Sequence, residues 1–326
     1  MASSEQLKAL LLSHLDKDEE RFLSIALQMA AHEARSGHGK LAQDLREIID
    51  KAKKQASSSV PIPIAKGLRD ASGLLYATTP HYRLTDLITT NDVQDKLTRV
   101  IREQRHIGKL KNHGLSPRRK LLLVGPPGTG KTFTASVLAS ELGYPLFQVR
   151  LDAVITKFMG ESSAKLRQVF DAIHEVRGVY FFDEFDALGS QRSTPNDVGE
   201  ARRILNSFLQ MIEQDDSNGI IICATNHAEI LDYALFRRFD DVVQYQLPEN
   251  DEIITLLKNK LQPYVTKRFS WTKLASIANG LSSAEITLAA QDAIKELLIH
   301  EYKTISLDII ESAINDRREM SHKQHR

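Results

Sequence analysis

The chain has 326 residues, enough for two domains that each bury a core, and its 42% apolar and 26% charged residues are ordinary globular values. Lys and Arg number 43 against 42 Asp and Glu, so the basic excess of a dedicated duplex binder is missing and nucleic acid is disfavoured as the main partner. No apolar run approaches bilayer length, the polar Met1–Lys8 is unlike a signal peptide, and one cysteine, Cys223, excludes a disulfide framework within the chain; a soluble cytoplasmic protein is expected, with no membrane partner.

Three apolar stripes at helical spacing open the chain: Leu7, Leu10, Leu11 and Leu15; Phe22, Ile25, Ala26 and Met29; and Leu41, Leu45, Ile48 and Ile49. Breaks at Asp16–Asp18 and Gly37–Gly39 separate them, so residues 1–55 read as a small helical bundle. Ala56–Pro63 (ASSSVPIP) combines flexible serines with prolines that forbid helix, and it opens a linker over 56–84. From Lys120 short β-rich runs alternate with amphipathic helices, which predicts a parallel sheet covered on both faces. Five strands are expected: Lys120–Val124, Pro145–Leu151, Val179–Phe182, Ile220–Thr225 and Asp241–Leu247. After Pro248 only helical periodicity remains, in Ile253–Leu261, Thr272–Ala278, Ala284–His300 and Leu307–Arg317. That predicts a second, all-helical domain.

The strand Lys120–Val124 runs directly into Gly125-Pro126-Pro127-Gly128-Thr129-Gly130-Lys131-Thr132, and a helix-compatible segment follows. Strand, glycine-rich loop and helix in this order are the context of a P-loop. The glycines let backbone N–H groups wrap the phosphates of ATP, Lys131 neutralises charge, and the Thr132 hydroxyl takes one place on Mg2+. About fifty residues on, the apolar run Val179–Phe182 ends in Asp183-Glu184. Adjacent carboxylates at the end of a buried strand are costly without a task. Asp183 is expected to hold Mg2+ and Glu184 to orient and polarise the attacking water. Asp186 reads equally well as a helix cap, a solvated loop carboxylate or a catalytic group. The 11 histidines show no pair at metal-ligand spacing beside a carboxylate, so no metal beyond Mg2+ is assigned.

From about Thr85 to Arg318 the chain resembles an AAA+ ATPase module of the protein-remodelling AAA clade, in its single-ring, katanin- and spastin-like form. Phe181–Ser190 (FFDEFDALGS) is similar to the Walker B segment, and Ala224-Thr225-Asn226 to the sensor-1 strand end. The resemblance implies that Asn226 holds the lytic water with Glu184. Leu231–Asp240 (LDYALFRRFD) resembles the second region of homology, which makes Arg237 and Arg238 arginine fingers. Gly280–Glu285 (GLSSAE) is similar to a lid motif that usually reads G-x-S-G-A-D, which places Ser283 and Ala284 at the nucleotide, with Ser283 standing where the motif has glycine. Lys157-Phe158-Met159-Gly160 occupies the place of the family's pore loop; an aromatic and a thioether can grip varied side chains by apolar contact without reading a sequence. Ser190–Val198 would be a second pore-facing loop.

The expected architecture is therefore an α/β P-loop NTPase: a parallel five-stranded sheet with helices on both faces, a small helical lid after it and a helical bundle before it. The divisions are 1–55 for a client- or partner-binding bundle, 56–84 for a linker, 85–248 for the nucleotide-binding domain, 249–318 for the lid and 319–326 for a tail. The expected function is Mg2+-dependent ATP hydrolysis in a homo-oligomeric ring, a hexamer, that pulls a protein client through its pore. The short architecture also resembles bacterial ATPases that accompany a separate subtilisin-like protease, so a protease is a candidate partner. The alternative is a nucleic-acid-associated motor or loader, for which Arg102, Arg105, Lys109, Lys111, Arg118, Arg119 and Lys120 form a basic stretch. That stretch has no aromatic stacking platform, and Gly280–Lys295 lacks the lid arginine usual in such motors.

Overall fold

The structure is a computed structural model that describes residues 66–155, 161–188, 195–227, 233–266 and 269–324, together with Gln43. The expected N-terminal bundle, the Ala56–Pro63 stretch, the pore-loop residues Lys157–Gly160 and the first part of Ser190–Val198 lie outside the described residues. Apart from Gln43, everything described belongs to one compact unit, Pro63–Arg326.

Among the described residues the strands are β1 (Leu75–Thr78), β2 (Lys120–Val124), β3 (Leu146–Val149), β4 (Val179–Phe182), β5 (Ile220–Thr225) and β6 (Asp241–Gln244). They form one sheet in the order β1-β3-β4-β5-β2-β6. All pairings among β2 to β6 are parallel, and β1 runs antiparallel to β3 with Leu75 opposite Val149. The five parallel strands stand where the sequence places them, although β3 and β6 stop earlier, at Val149 and Gln244.

The sheet has six strands rather than the expected five. The added strand, β1, is four residues long with no buried member, and Tyr76 is 62% exposed. An edge strand of this kind is held by its partner's backbone, so it needs no apolar run that a sequence pattern could reveal. It falls within 56–84, the stretch read as linker, as does the helix Lys66–Asp70. That helix packs on the helix Glu161–Glu175, where the Gly67 N–H donates to Glu175 Oε2 at 2.6 Å.

Strands β2, β4 and β5 are buried at every position, as strands with helices on both faces must be. Alternate side chains divide between two layers. Leu121, Leu123, Phe181 and Ile222 join one core with Leu97 of the helix Asn91–Arg105 and Leu138 of the helix Lys131–Leu142. On the opposite face Phe182 meets Phe170 of Glu161–Glu175 and Phe208 of the helix Pro195–Gln214, at 6.5 and 5.2 Å between ring centroids, and Phe185 meets Phe208 at 4.8 Å. The chain leaves β2, crosses to β3 at the far side and returns through β4 to β5, which pairs with β2. The C-terminal ends of β2, β5 and β4 therefore lie side by side, at the place where doubly wound sheets hold ligands.

Past β6 the helices Asn250–Leu261, Trp271–Ala278, Ser283–Ile299 and Leu307–Gln324 surround a separate apolar cluster that includes Ile253, Leu257, Leu274, Ile286, Ile310 and Ile314. Their 3.6-residue periodicity creates that core. No helix among the described residues is long and apolar enough to cross a membrane.

Phe208 is fully buried at the centre of the aromatic group. Phe208→Ala is expected to destabilise the protein by about 3 to 5 kcal/mol through lost burial and a residual cavity. Urea unfolding followed by circular dichroism measures this, and a midpoint equal to that of the unaltered protein would contradict the packing described.

Candidate functional site

The loop leaving β2 begins with Gly125 at φ 149°. A Cβ there would stand 2.3 Å from the Tyr245 carbonyl oxygen, so only glycine lets β6 pass this close. Gly128, at φ 72°, faces the helical domain: a Cβ on it would meet Ser282 Oγ at 2.6 Å and Ala284 Cβ at 3.1 Å. Inside the loop the Lys131 ammonium donates to the carbonyls of Gly125 and Pro126, both at 2.7 Å, and Thr129 Oγ1 donates to Pro126 O at 2.8 Å. Lys131 is buried, and desolvation pulls its pKa below the ordinary lysine value while Asp183 and Asp186 oppose that shift. Exposed Pro126, Pro127 and Gly128 form the outer rim, and Gly130 turns the chain into the helix Lys131–Leu142.

Across the top of β5 the loop meets β4. Thr132 Oγ1 donates to Asp183 Oδ2 at 2.9 Å, and the Glu184 N–H donates to Asp183 Oδ1 at 3.0 Å. Asp183 is thus held by both its oxygens, while Glu184 is exposed beside it. Glu184 has φ 49°, a left-handed backbone that a non-glycine residue adopts only when its surroundings impose it. Its carbonyl accepts from the Ala187 N–H at 2.8 Å, which closes the short 3-10 turn Phe185–Leu188. Both carboxylates border an open cleft of about 630 Å3 lined also by Tyr76, Gln148, Arg150 and Asp152. A second cleft, of about 640 Å3, lies at the other end of β2; it is lined by Lys111, Arg118, Arg119 and Lys120 of the basic stretch and by none of the residues expected at the nucleotide.

Asn226 follows β5 directly and is half-buried. Arg237 is exposed in the turn after the helix Tyr233–Phe236, and Arg238 donates through Nε to Glu213 at 3.1 Å. Ser283 and Ala284 begin the helix Ser283–Ile299, and the Ala284 N–H donates to the Gly128 carbonyl at 2.9 Å. The Ser283 carbonyl accepts from Thr287 Oγ1 within the helix. Beside Ala284, the side chain that comes up against the loop is that of Ser282, which sequence reasoning did not single out. Its signal was present as the capping box Ser282…Glu285, in which Ser282 Oγ accepts from the Glu285 N–H and the Glu285 carboxylate accepts from the Ser282 N–H. Thr225 and Asp186 were also passed over as a pair, though Thr225 Oγ1 donates to Asp186 Oδ1 at 2.8 Å. Cys223, on β5, is fully buried and its thiol pKa is pushed up by burial, so it is a core side chain.

The residues fit a nucleotide with a divalent ion. Lys131 offers a desolvated cation inside a loop whose Gly125 and Gly128 leave no room for a side chain, and Thr132 with Asp183 offers two hard oxygen donors already in contact, a number suited to Mg2+ that keeps waters and takes phosphate oxygens. The sequence pattern of the ATPase family associated with various cellular activities (AAA) matches residues 121–247. The AAA family ATPase y4kL of Sinorhizobium fredii, itself uncharacterised, is 34% identical over 319 residues, which span 97% of this chain and 96% of that protein. With a relative matched over nearly the whole of both chains and the family pattern lying on β2 to β6, the chain belongs to the AAA family of ATPases.

Proposed function

We propose that this AAA ATPase is a Mg2+-dependent protein remodeller that works as a homo-oligomeric ring, a hexamer, and draws a protein client through a central pore. The contact that carries the hydrolytic part is the hydrogen bond from Thr132 Oγ1 to Asp183 Oδ2, which brings the loop and the strand-end carboxylate to one point. Mg2+ bound there would draw charge from the phosphate oxygens of ATP. Lys131 and the loop N–H groups hold the phosphates, Glu184 orients and polarises the water, and Asn226 helps to hold that water. Ser283 and Ala284, on the helical domain of residues 249–318, stand over the nucleotide; the Ala284–Gly128 hydrogen bond supports this for Ala284.

Arg237 and Arg238 act in trans, on the nucleotide of a neighbouring subunit, which is why a ring is required. Lys157, Phe158, Met159 and Gly160 line the pore, the N-terminal bundle selects the client, and a separate protease is a candidate recipient. The pairing of the basic stretch favours this reading over a nucleic-acid motor. Arg105 pairs with Glu141, Arg118 with Glu103 and Asp241, and Arg119 with the buried Asp215. Lys111 bonds Asn218, and Lys120 is buried. Charges engaged within the fold leave fewer for phosphate neutralisation, although Arg102 and Lys109 of the stretch are exposed.

Three expectations test this. Lys131→Ala loses ATP binding, whereas Glu184→Gln retains it and loses turnover by about 10² to 10⁴, the range of a positioned acid–base group. Equilibrium titration with a fluorescent nucleotide, beside phosphate release, separates the two effects; equal affinity in Lys131→Ala refutes the loop assignment.

Specific activity should rise with protein concentration, and Arg237→Ala or Arg238→Ala subunits should bind ATP yet lower turnover by about 10³ to 10⁵. Mixing either with Lys131→Ala should restore part of the activity, since each supplies what the other lacks. Mixtures shown to co-assemble but without any recovered turnover would exclude action in trans.

Phe158→Ala should keep basal hydrolysis within a few-fold while client remodelling collapses. Each subunit would lose an aromatic face worth at most about 1.5 to 3 kcal/mol against a client side chain. Normal remodelling by this variant would exclude threading, and thermal instability would mark Phe158 as a core residue.

A further inference from the structure

Glu184 and Asn226 sit on different segments, and water held between two groups demands that their separation be fixed. The segments are the left-handed turn after β4 and the end of β5. Their strands are paired, with Phe182 opposite Cys223, but that pairing ends before either residue. One side-chain contact continues it. Thr225 Oγ1 donates to Asp186 Oδ1 at 2.8 Å and accepts from the His227 N–H at 2.9 Å.

The second of these bonds spans Asn226. A threonine hydroxyl that takes the N–H two residues ahead closes a local turn, so the backbone carrying Asn226 is folded around the Thr225 oxygen. The first bond ties that oxygen to the 3-10 turn Phe185–Leu188, whose own closure, Ala187 N–H to Glu184 O, fixes the carbonyl of Glu184. Thr225 is 1% exposed, so the hydroxyl has no competition from bulk water. A third strand also converges here, since the Gly125 N–H donates to the Thr225 carbonyl at 3.3 Å.

We infer that Asp186 and Thr225 are a positioning pair for hydrolysis: their hydrogen bond sets the distance between Glu184 and Asn226, and neither side chain touches the reacting atoms. This rests on the reading of Glu184 and Asn226 as the residues that hold the attacking water. It also resolves the three roles that the sequence left open for Asp186. That carboxylate is neither a solvated loop group nor a helix cap, but the acceptor that binds the two catalytic segments together. Asp186 contributes a favourable charge to Lys131 as well, so its replacement can disturb nucleotide binding in a way that replacement of Thr225 cannot. The threonine is therefore the cleaner probe.

The test uses the full chain under conditions where it hydrolyses ATP, with Thr225→Val, Thr225→Ser, Asp186→Asn, Asp186→Ala and the doubly substituted Asp186→Ala/Thr225→Val. Thr225→Val keeps the shape and removes the hydroxyl. It is expected to lower kcat at least tenfold while the affinity for a fluorescent ADP analogue stays within threefold and the melting temperature within a few degrees. Thr225→Ser restores the hydroxyl and should recover most of the lost kcat. Asp186→Asn retains an acceptor oxygen and should exceed Asp186→Ala in kcat, whereas a catalytic carboxylate would be equally lost in both. The double variant should be no slower than the slower single variant, because both remove the same bond.

Unaltered kcat in Thr225→Val, a parallel fall in nucleotide affinity, or additive losses in the double variant would each overturn the inference. Glu184→Gln, measured alongside, separates the two levels. If it hydrolyses ATP normally, the reading of Glu184 fails and takes the positioning pair with it; if it is inactive while Thr225→Val is normal, the positioning pair alone fails.

Discussion

The insertion of β5 between β2 and β4 is the constraint on which the site depends. Parallel strands stand about 4.8 Å apart, so two strand ends separated by one strand are too distant for their backbones to bond and near enough for side chains to meet across the gap. The side chains that meet there are Thr132, at the end of the loop from β2, and Asp183, at the end of β4. Beneath them β5 contributes a carbonyl to Gly125 and a hydroxyl to Asp186, so its last residue touches both flanking segments. Any shift of β5 would move the glycine-rich loop, the carboxylate pair and Asn226 together. Complete burial of Ile220–Thr225 opposes such a shift.

The helical domain meets this point through the loop rather than through the sheet. Gly128 accepts the Ala284 N–H, and Ser282, which caps the same helix, leaves no space for a side chain at Gly128. At the base, Tyr245 follows β6 and leads into the connection to Asn250–Leu261; its phenol shares a hydrogen bond with Thr134, in the first turn of the loop's own helix. Burial pushes the Tyr245 pKa far up, so this phenol stays a neutral partner. The loop and the helix that follows it are thus contacted at Tyr245, just before the helical domain, and at Ser282 and Ala284 within that domain.

Much of this was legible in the sequence because parallel buried strands announce themselves. Leu121–Val124, Val179–Phe182 and Ile220–Ala224 are continuous apolar runs at or near full burial, and each strand's bounds match its run to within one residue. The loop and carboxylate residues were legible because glycines and adjacent acids are expensive in such places. What stayed hidden obeys other physics. β1 is defined by backbone pairing at an edge, and its exposed Tyr76 and half-buried Leu75 form no periodic signal. Thr225 and Asp186 meet across 39 positions of sequence, and a hydroxyl at a strand end has no pattern that distinguishes a bonded threonine from a merely buried one. Ser282 was visible as a cap, yet capping alone does not tell which surface the capped end will face.

Lys131 binds these observations into one electrostatic argument. A buried ammonium is unfavourable, and two loop carbonyls at 2.7 Å are neutral acceptors that compensate in part. Asp183 and Asp186 supply the charge that the carbonyls lack, each from the far side of β5. That arrangement has a chemical consequence. Low local polarisability strengthens every charge interaction, so phosphate oxygens entering the loop would relieve the desolvated cation and be held more firmly than at an exposed lysine. The same two carboxylates are the ones bonded to Thr132 and Thr225. In the proposed reading, one pair of aspartates therefore does two things at once: it offsets part of the desolvation of Lys131 and, through the two threonines, keeps the loop and the water-holding residues in register.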